Sequence, residues 1–258
     1  MQAQHSPSNN ETNPSLLTDI AVQAHEILRE EYDEYATMLE YRNAWELLVA
    51  VSLSAQTTDA QVNKVTSVLF ARWPGPGDLA DAPIGNIEEV VHSTGFYRNK
   101  AKNIKAAGAV IRDTFNNTVP DSIEELVKVP GIGRKSAGVI LHHVFGKPAI
   151  IVDTHFGRVC SRIGILSCDP AEKKPDPIRT EKEIAEILPP ERWSSFSMVA
   201  NLHGRRYCTS RKPDCFNCPL REICSYRYLY VEPVQPGAAS TQSAEAASTP
   251  SSVPEDGT

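Results

Sequence analysis

Between residues 15 and 230 apolar side chains return every three or four positions almost without a break, and they nowhere alternate with period two over a useful length. A chain patterned this way buries its apolar surface helix against helix, which excludes sandwiches, barrels and doubly wound sheets. Leu16, Ile20, Ala24, Ile27 and Leu28 form one stripe. Val62, Val65, Leu69 and Phe70 form a second, closed by Trp73-Pro74-Gly75, and Ala101, Ile104, Gly108, Ile111 and Phe115 form a third. Helices are also expected over 44–54, 86–93, 122–128, 134–145, 154–163, 179–188 and 192–203, mostly separated by Gly, Pro or Asp. The one strand-like run is Ala149-Ile150-Ile151-Val152, and no internal repeat is found. The fold class read from this pattern is all-α.

The helical pattern stops at both ends. Glu232 to Thr258 is mostly Pro, Ala, Ser, Thr and Glu with scarcely a large apolar residue, so it cannot offset its ordering entropy. Residues 231–258 and 1–14 are therefore expected to be disordered. The 258 residues, 41% of them hydrophobic, suffice for one large or two modest domains with a real core. No run approaches the ~18–20 apolar residues of a membrane span; the longest, Leu47 to Leu53, is broken by Ser52. The N-terminus lacks the charged and apolar regions of a signal peptide and the arginines of a transit peptide. A soluble, unexported protein that does not engage membranes is expected.

The net charge of −6 conceals a division. Residues 1–34 carry −6 and residues 231–258 carry −4, which leaves +4 for the stretch between them. Within that stretch, Arg192, Arg205, Arg206, Arg211, Lys212, Arg221 and Arg227 face only Asp214 and Glu222 over residues 192–227. A locally basic surface binds polyanions whatever the total charge; a solvated charged face has the same composition.

Three constellations carry chemistry. The first is Val129-Pro130-Gly131-Ile132-Gly133-Arg134-Lys135, between two short amphipathic helices. Its glycines permit a tight turn that exposes successive N–H groups where the next helix begins, a ready phosphate site. A plain helix–turn–helix would use the same glycines. The second is Lys135 with Asp153. Lys135 falls in a first helical turn, where the dipole disfavours a cation, and a free lysine amine attacks electrophilic carbon to form a Schiff base. Lys135 is equally compatible with a phosphate contact, and Asp153, directly before a helical pattern, with an N-cap. The third is Cys208, Cys215, Cys218 and Cys224, four of the six cysteines within seventeen residues. In a chain without export signals such thiolates imply tetrahedral zinc or an iron–sulfur cluster. A single Cys-x2-Cys pair flanked by long arms favours [4Fe–4S] over the two knuckles usual for zinc. Cys160, between Val159 and Ile163-side apolar positions, reads as core, and Cys168 lies outside the set.

Taken together with Ser54-Ala55-Gln56-Thr57-Thr58-Asp59 and Val152-Asp153-Thr154-His155, these motifs resemble the endonuclease III family of DNA glycosylases, from about Asn43 to Tyr226. The resemblance implies two helical domains flanking a DNA-binding cleft. One is a six-helix barrel containing the helix–hairpin–helix, over residues 37–147. The other joins residues 15–36 to 148–230 and holds a [4Fe–4S] cluster on the four cysteines. It implies Lys135 as the nucleophile and Asp153 as the essential carboxylate. Gln56 would fill the gap left by an extruded nucleotide, and Phe96 stands where a wedge residue is commonly Leu. Gly131, Gly133, Arg134, His155, Arg211 and Lys212 complete the expected DNA contacts.

The activity implied is excision of oxidised pyrimidines from double-stranded DNA, followed by nicking at the abasic site through a lysine Schiff base, by a monomer in the cytoplasm at the bacterial nucleoid. A monofunctional mismatch glycosylase is the second reading, against which Lys135 speaks. A non-catalytic iron–sulfur DNA-binding protein, or a zinc-bound helical module, would leave Lys135 and Asp153 as surface and cap residues. Ser136 and Gly138 stand where Thr and Asn are frequent in the family, Gly157 interrupts a helical pattern, and Cys168–Pro177 is longer than its counterparts.

Overall fold

Asn43, Thr58, Ser122, Asp153 and Asp176 each precede a helical stripe, and in the computed structural model each side chain accepts a backbone N–H from the turn that follows. The structure describes residues 14–32, 37–169 and 175–231. The end segments expected to be disordered lie outside the described residues, except Pro14, which opens the first helix, and Val231, which ends a helical turn. The described residues form α1 (Pro14–Glu31), α2 (Ala44–Leu53), α3 (Asp59–Arg72), α4 (Pro76–Asp81), α5 (Ile84–Val91), α6 (Tyr97–Phe115), α7 (Ile123–Leu126), α8 (Arg134–Phe145), α9 (Thr154–Ile163), α10 (Pro177–Ile187) and α11 (Pro190–Arg206). None of these is long and apolar enough to cross a membrane.

No strand occurs among the described residues. The strand-like run 149–152 is buried, and side chains replace a neighbouring strand as its partners. Ser194 Oγ accepts from the Ala149 amide at 3.1 Å, and Ser197 Oγ accepts from the Ile151 amide at 3.0 Å. These serines are one turn apart on α11, so a helix face satisfies an extended segment. The sequence pattern gives no helix over Pro76–Asp81, yet α4 forms there. The Asp78 carboxylate accepts the Gly75 amide at 2.9 Å, and α4 packs on α6 closely enough that a Cβ on Gly108 would lie 2.5 Å from the Pro76 carbonyl oxygen.

Two apolar cores divide the helices. The first gathers α2 to α8 around Leu47, Leu53, Leu69, Ile104, Leu126 and Ile140. The second gathers α1, α9, α10, α11 and the cysteine-bearing segment around Leu28, Phe156, Val159, Phe196 and Leu220. Phe156 and Phe196 meet edge to face at 5.6 Å and are both fully buried, each contributing on the order of 1.5–3 kcal/mol of burial. The changeover falls between Ala149 and Ile150, while α1 returns to the second core from the other end of the chain. Within the second core α9 and α11 approach so closely that a Cβ on Gly204 would sit 2.8 Å from His155 Cβ. This contact fixes the start of α9 against α11.

Candidate functional site

A cavity of about 570 Å³ opens between elements of the two cores. Ser54, Gln56, Thr57 and Thr58 from the α2–α3 turn line it, with Lys135, Val139 and His143 from α8. Ile151, Asp153 and the α11 residues Ser197, Met198, Asn201 and Arg205 line the facing side. Lys135 and Asp153, eighteen positions apart in sequence, thus reach one space. Lys135 is exposed in the first turn of α8 and has no hydrogen-bond or ion-pair partner among the described residues. Asp153 Oδ1 accepts from the His155 and Phe156 amides at 2.8 Å each, and Oδ2 accepts from Asn201 Nδ2. The carboxylate caps α9 and lines the cavity at once, so capping leaves its second oxygen on the cavity side.

Lys135, Val139 and His143 stand four positions apart and share one face of α8. Burial, helped by the neighbouring His142 and Lys135, pushes His143 down to about 4, so it is a neutral imidazole near pH 7. The sequence reading missed His143 although that spacing signals it. Asn201 carried no local signal, since its partner lies on another helix.

The hairpin before α8 is anchored by buried Val129 and Ile132. Gly131 has φ +84°, and a Cβ there would lie 2.9 Å from Ser52 Oγ, so conformation and space both demand glycine. Gly133 differs: its backbone is extended, a Cβ would meet nothing within 4 Å, and no side chain caps α8. The first-turn amides of α8 therefore lack a side-chain acceptor and face an open surface. Arg134, expected as a DNA contact, is engaged by Glu181 of α10 through two bonds of 2.9 and 2.5 Å. His155, also expected at DNA, is half-buried with Nδ1 3.0 Å from Arg158. Gln56 and Phe96 are exposed and both have left-handed backbones, with φ of 55° and 47°, uncommon for residues other than glycine.

The four cysteines of the C-terminal set, none of them in a disulfide, surround one small cavity in company with Val159, Ile163, Leu220 and Tyr226. Burial pushes the Cys218 thiol up to about 12 and raises Cys224 as well. Buried Arg162 reaches Cys208 Sγ at 3.3 Å and stacks on Tyr226 at 4.5 Å. Among the described residues no three His, Cys, Asp or Glu side chains are grouped so as to hold a metal ion as they stand. The donor set nevertheless suits a thiolate-ligated group: four cysteine side chains outside any disulfide line one largely apolar pocket beside a buried cation. Arg211 and Lys212 lie exposed on the loop between the first two cysteines, and Cys160 is core.

Residues 49–190 match the HhH-GPD superfamily of base excision DNA repair proteins. Endonuclease III of Synechocystis sp. is 44% identical over 199 residues, covering 77% of this chain and 88% of the relative. Endonuclease III of Bacillus subtilis is 41% identical over 186 residues, 72% of this chain and 83% of its own length. A solved structure of a trapped endonuclease III–DNA covalent intermediate superposes with a TM-score of 0.73 at 38% identity, over 81% of this chain and 96% of that one.

Proposed function

The chain belongs to the endonuclease III family within the HhH-GPD superfamily of base excision DNA repair proteins, and from that premise we propose that it removes oxidised pyrimidines from duplex DNA and nicks the strand at the resulting abasic site. The observation that carries the reading is the partnerless Lys135 amine sharing one cavity with the fixed carboxylate of Asp153.

A base cannot be cut from its sugar while stacked, so the damaged nucleotide must leave the helix, at a cost of a few kcal/mol. Pyrimidines that have lost aromaticity stack weakly and leave more readily. Gln56 and Phe96, exposed on strained loops, would occupy the vacated space. The uncapped amides of α8 would hold a backbone phosphate, and the open face at Gly133 leaves room for it. Lys135 Nζ then attacks C1′, the glycosidic bond breaks, and the base departs with the bonding pair and gains a proton. Asp153 stabilises the positive charge growing on the sugar. The bound amine sheds its proton, the sugar ring opens, and a Schiff base remains. Loss of a C2′ proton then breaks the C3′–O bond and expels the phosphate.

Cys208, Cys215, Cys218 and Cys224 would hold a [4Fe–4S] cluster, whose contribution is to brace the loop that carries Arg211 and Lys212 toward DNA. Two separate apolar cores support a six-helix barrel over 37–147 and a cluster domain of 15–36 with 148–230. We further infer a monomer acting in the bacterial cytoplasm at the nucleoid. The test is incubation with a duplex holding one thymine glycol: release of the base with a strand break ending in an unsaturated aldehyde is expected. Base release that leaves the strand intact until alkali is added would mean the monofunctional reading, and tight binding without release a binding module.

A further inference from the structure

Lysine ordinarily extends its stem so that the ammonium stays in water, and burying a cation without an anion is unfavourable. Lys100 of α6 departs from this. It is only 6% exposed, and its Nζ donates to two neutral acceptors: Thr57 Oγ1 at 2.8 Å and the Thr94 carbonyl at 2.7 Å. Thr57 Oγ1 itself donates to the same Thr94 carbonyl at 2.6 Å. Thr57 directly follows Gln56, and Thr94 stands two residues before Phe96. The Lys100 amide also closes the first turn of α6 on the Phe96 carbonyl at 3.2 Å. A neighbouring exposed bond, from Gln61 Nε2 in the first turn of α3 to Ser93 Oγ at 2.7 Å, joins the helix that follows the Gln56 loop to the segment before Phe96.

One ammonium therefore ties together the loops of Gln56 and Phe96, two of the three places among the described residues where exposed non-glycine residues are left-handed. We propose that Lys100 is a positioning residue, which holds Gln56 and Phe96 at a fixed separation so that both enter the gap of one extruded nucleotide. The inference rests on the reading of Gln56 and Phe96 as gap-filling residues. Its physical basis is preorganisation. Both loops hold backbone conformations that side-chain-bearing residues disfavour, so without a tie they would relax to other shapes. Two plugs that must fill one hole bind best when their order is set before contact. Lys100 touches no reacting atom, so its effect lies on extrusion and not on bond cleavage.

The test uses the full-length protein under single-turnover conditions with one oxidised pyrimidine in two settings. In the first the lesion is fully paired; in the second it sits in an unpaired bulge and needs little extrusion. Lys100→Met is expected to slow excision from the paired duplex by about 10- to 100-fold and to stay within about 3-fold of wild type on the bulge. Phe96→Ala, which alone slows the paired reaction, is expected to add little in the Lys100→Met background, because the plug is already misplaced. Thr57→Val removes the shared hydroxyl with less risk to folding and is expected to move the same ratio by about 3- to 10-fold. It carries the comparison if Lys100→Met does not fold. Equal loss on both substrates would reveal a merely structural lysine, and an unchanged ratio or full additivity with Phe96→Ala would also overturn the assignment. Wild type that excises from neither substrate would overturn the functional reading and this inference together. Wild type active on both, with an unmoved ratio, would overturn this inference alone.

Discussion

Replacing Asp153 with asparagine separates the cap that its carboxylate forms from the catalytic task proposed for it. Oδ1 accepts both first-turn amides of α9, and Oδ2 accepts from Asn201. Asparagine is as good an N-cap as aspartate, and the Asn201 amide can turn to offer its oxygen, so every hydrogen bond has a replacement. The folded protein is expected to lose no more than about 1 kcal/mol. The charge, however, is gone. A negative charge about 4 Å from a cationic sugar, at the effective dielectric of a partly wet site, is worth on the order of 4 kcal/mol. Excision should therefore slow by roughly a thousandfold. Asp153→Ala should show the same slowing together with loss of the cap, about 1–2 kcal/mol of stability. Single-turnover base release gives the rate, and thermal or chemical denaturation gives the stability. If Asp153→Asn releases base within about 3-fold of wild type, Asp153 is a cap and no more. If it is as unstable as Asp153→Ala, the slowing reports folding and the argument fails.

Two glycines inside helices should respond in opposite directions. Gly108→Ala drives a Cβ into the Pro76 carbonyl oxygen and should destabilise by about 1–3 kcal/mol, whereas Gly157→Ala meets only ordinary contacts with Pro175 at 3.6 Å and should stabilise by up to about 1 kcal/mol; denaturation midpoints decide both. His25 is held down to about 4 from an ordinary 6.5, by burial first and then by Arg192, whose guanidinium donates to Nδ1 at 3.1 Å. Between those values the unfolded chain binds more protons, so the stability from this site is complete above about pH 6.5 and falls as pH drops toward about 4, by up to about 1.4 kcal/mol per pH unit. His25→Gln should make that part of the pH profile of denaturation shallower without flattening it, since His143 and His203 are also held down to about 4, and an unchanged slope would contradict the assignment. Purified protein should be yellow-brown, with iron and acid-labile sulfide; Cys218→Ser should lose both, Cys160→Ala should keep them, and a colourless zinc protein would overturn the cluster assignment.

Helix bounds were legible where chemistry marks both ends. The sequence places helices over 134–145 and 154–163, and α8 and α9 occupy those residues, with Gly133 and Gly146 closing one and Asp153 and Gly164 the other. Six-residue α4 shows no period, because it is too short for a stripe to repeat. The site was legible only where its residues sit in local motifs. Lys135 and Asp153 sit in local motifs, whereas Asn201 and Ser197 reach the cavity because α11 packs on α9 through Gly204, a contact made far along the chain. Arg134 reads as a basic residue beside a hairpin until folding brings Glu181 to it. Lys100 reads as an ordinary helix-surface lysine, since its burial depends on how two loops fold over α6.

The central claim is that Lys135 Nζ forms a Schiff base with the sugar of a damaged nucleotide. Sodium borohydride reduces such a link irreversibly, so the measurement is trapping on a duplex holding a single thymine glycol, with peptide mapping of the adduct and Lys135→Gln alongside. The expected result is a covalent protein–DNA adduct mapped to Lys135 in wild type and absent from a Lys135→Gln protein that still binds the duplex. Wild type that binds lesion and abasic-site DNA tightly yet gives no adduct, or an adduct mapped to another amine, would contradict the account.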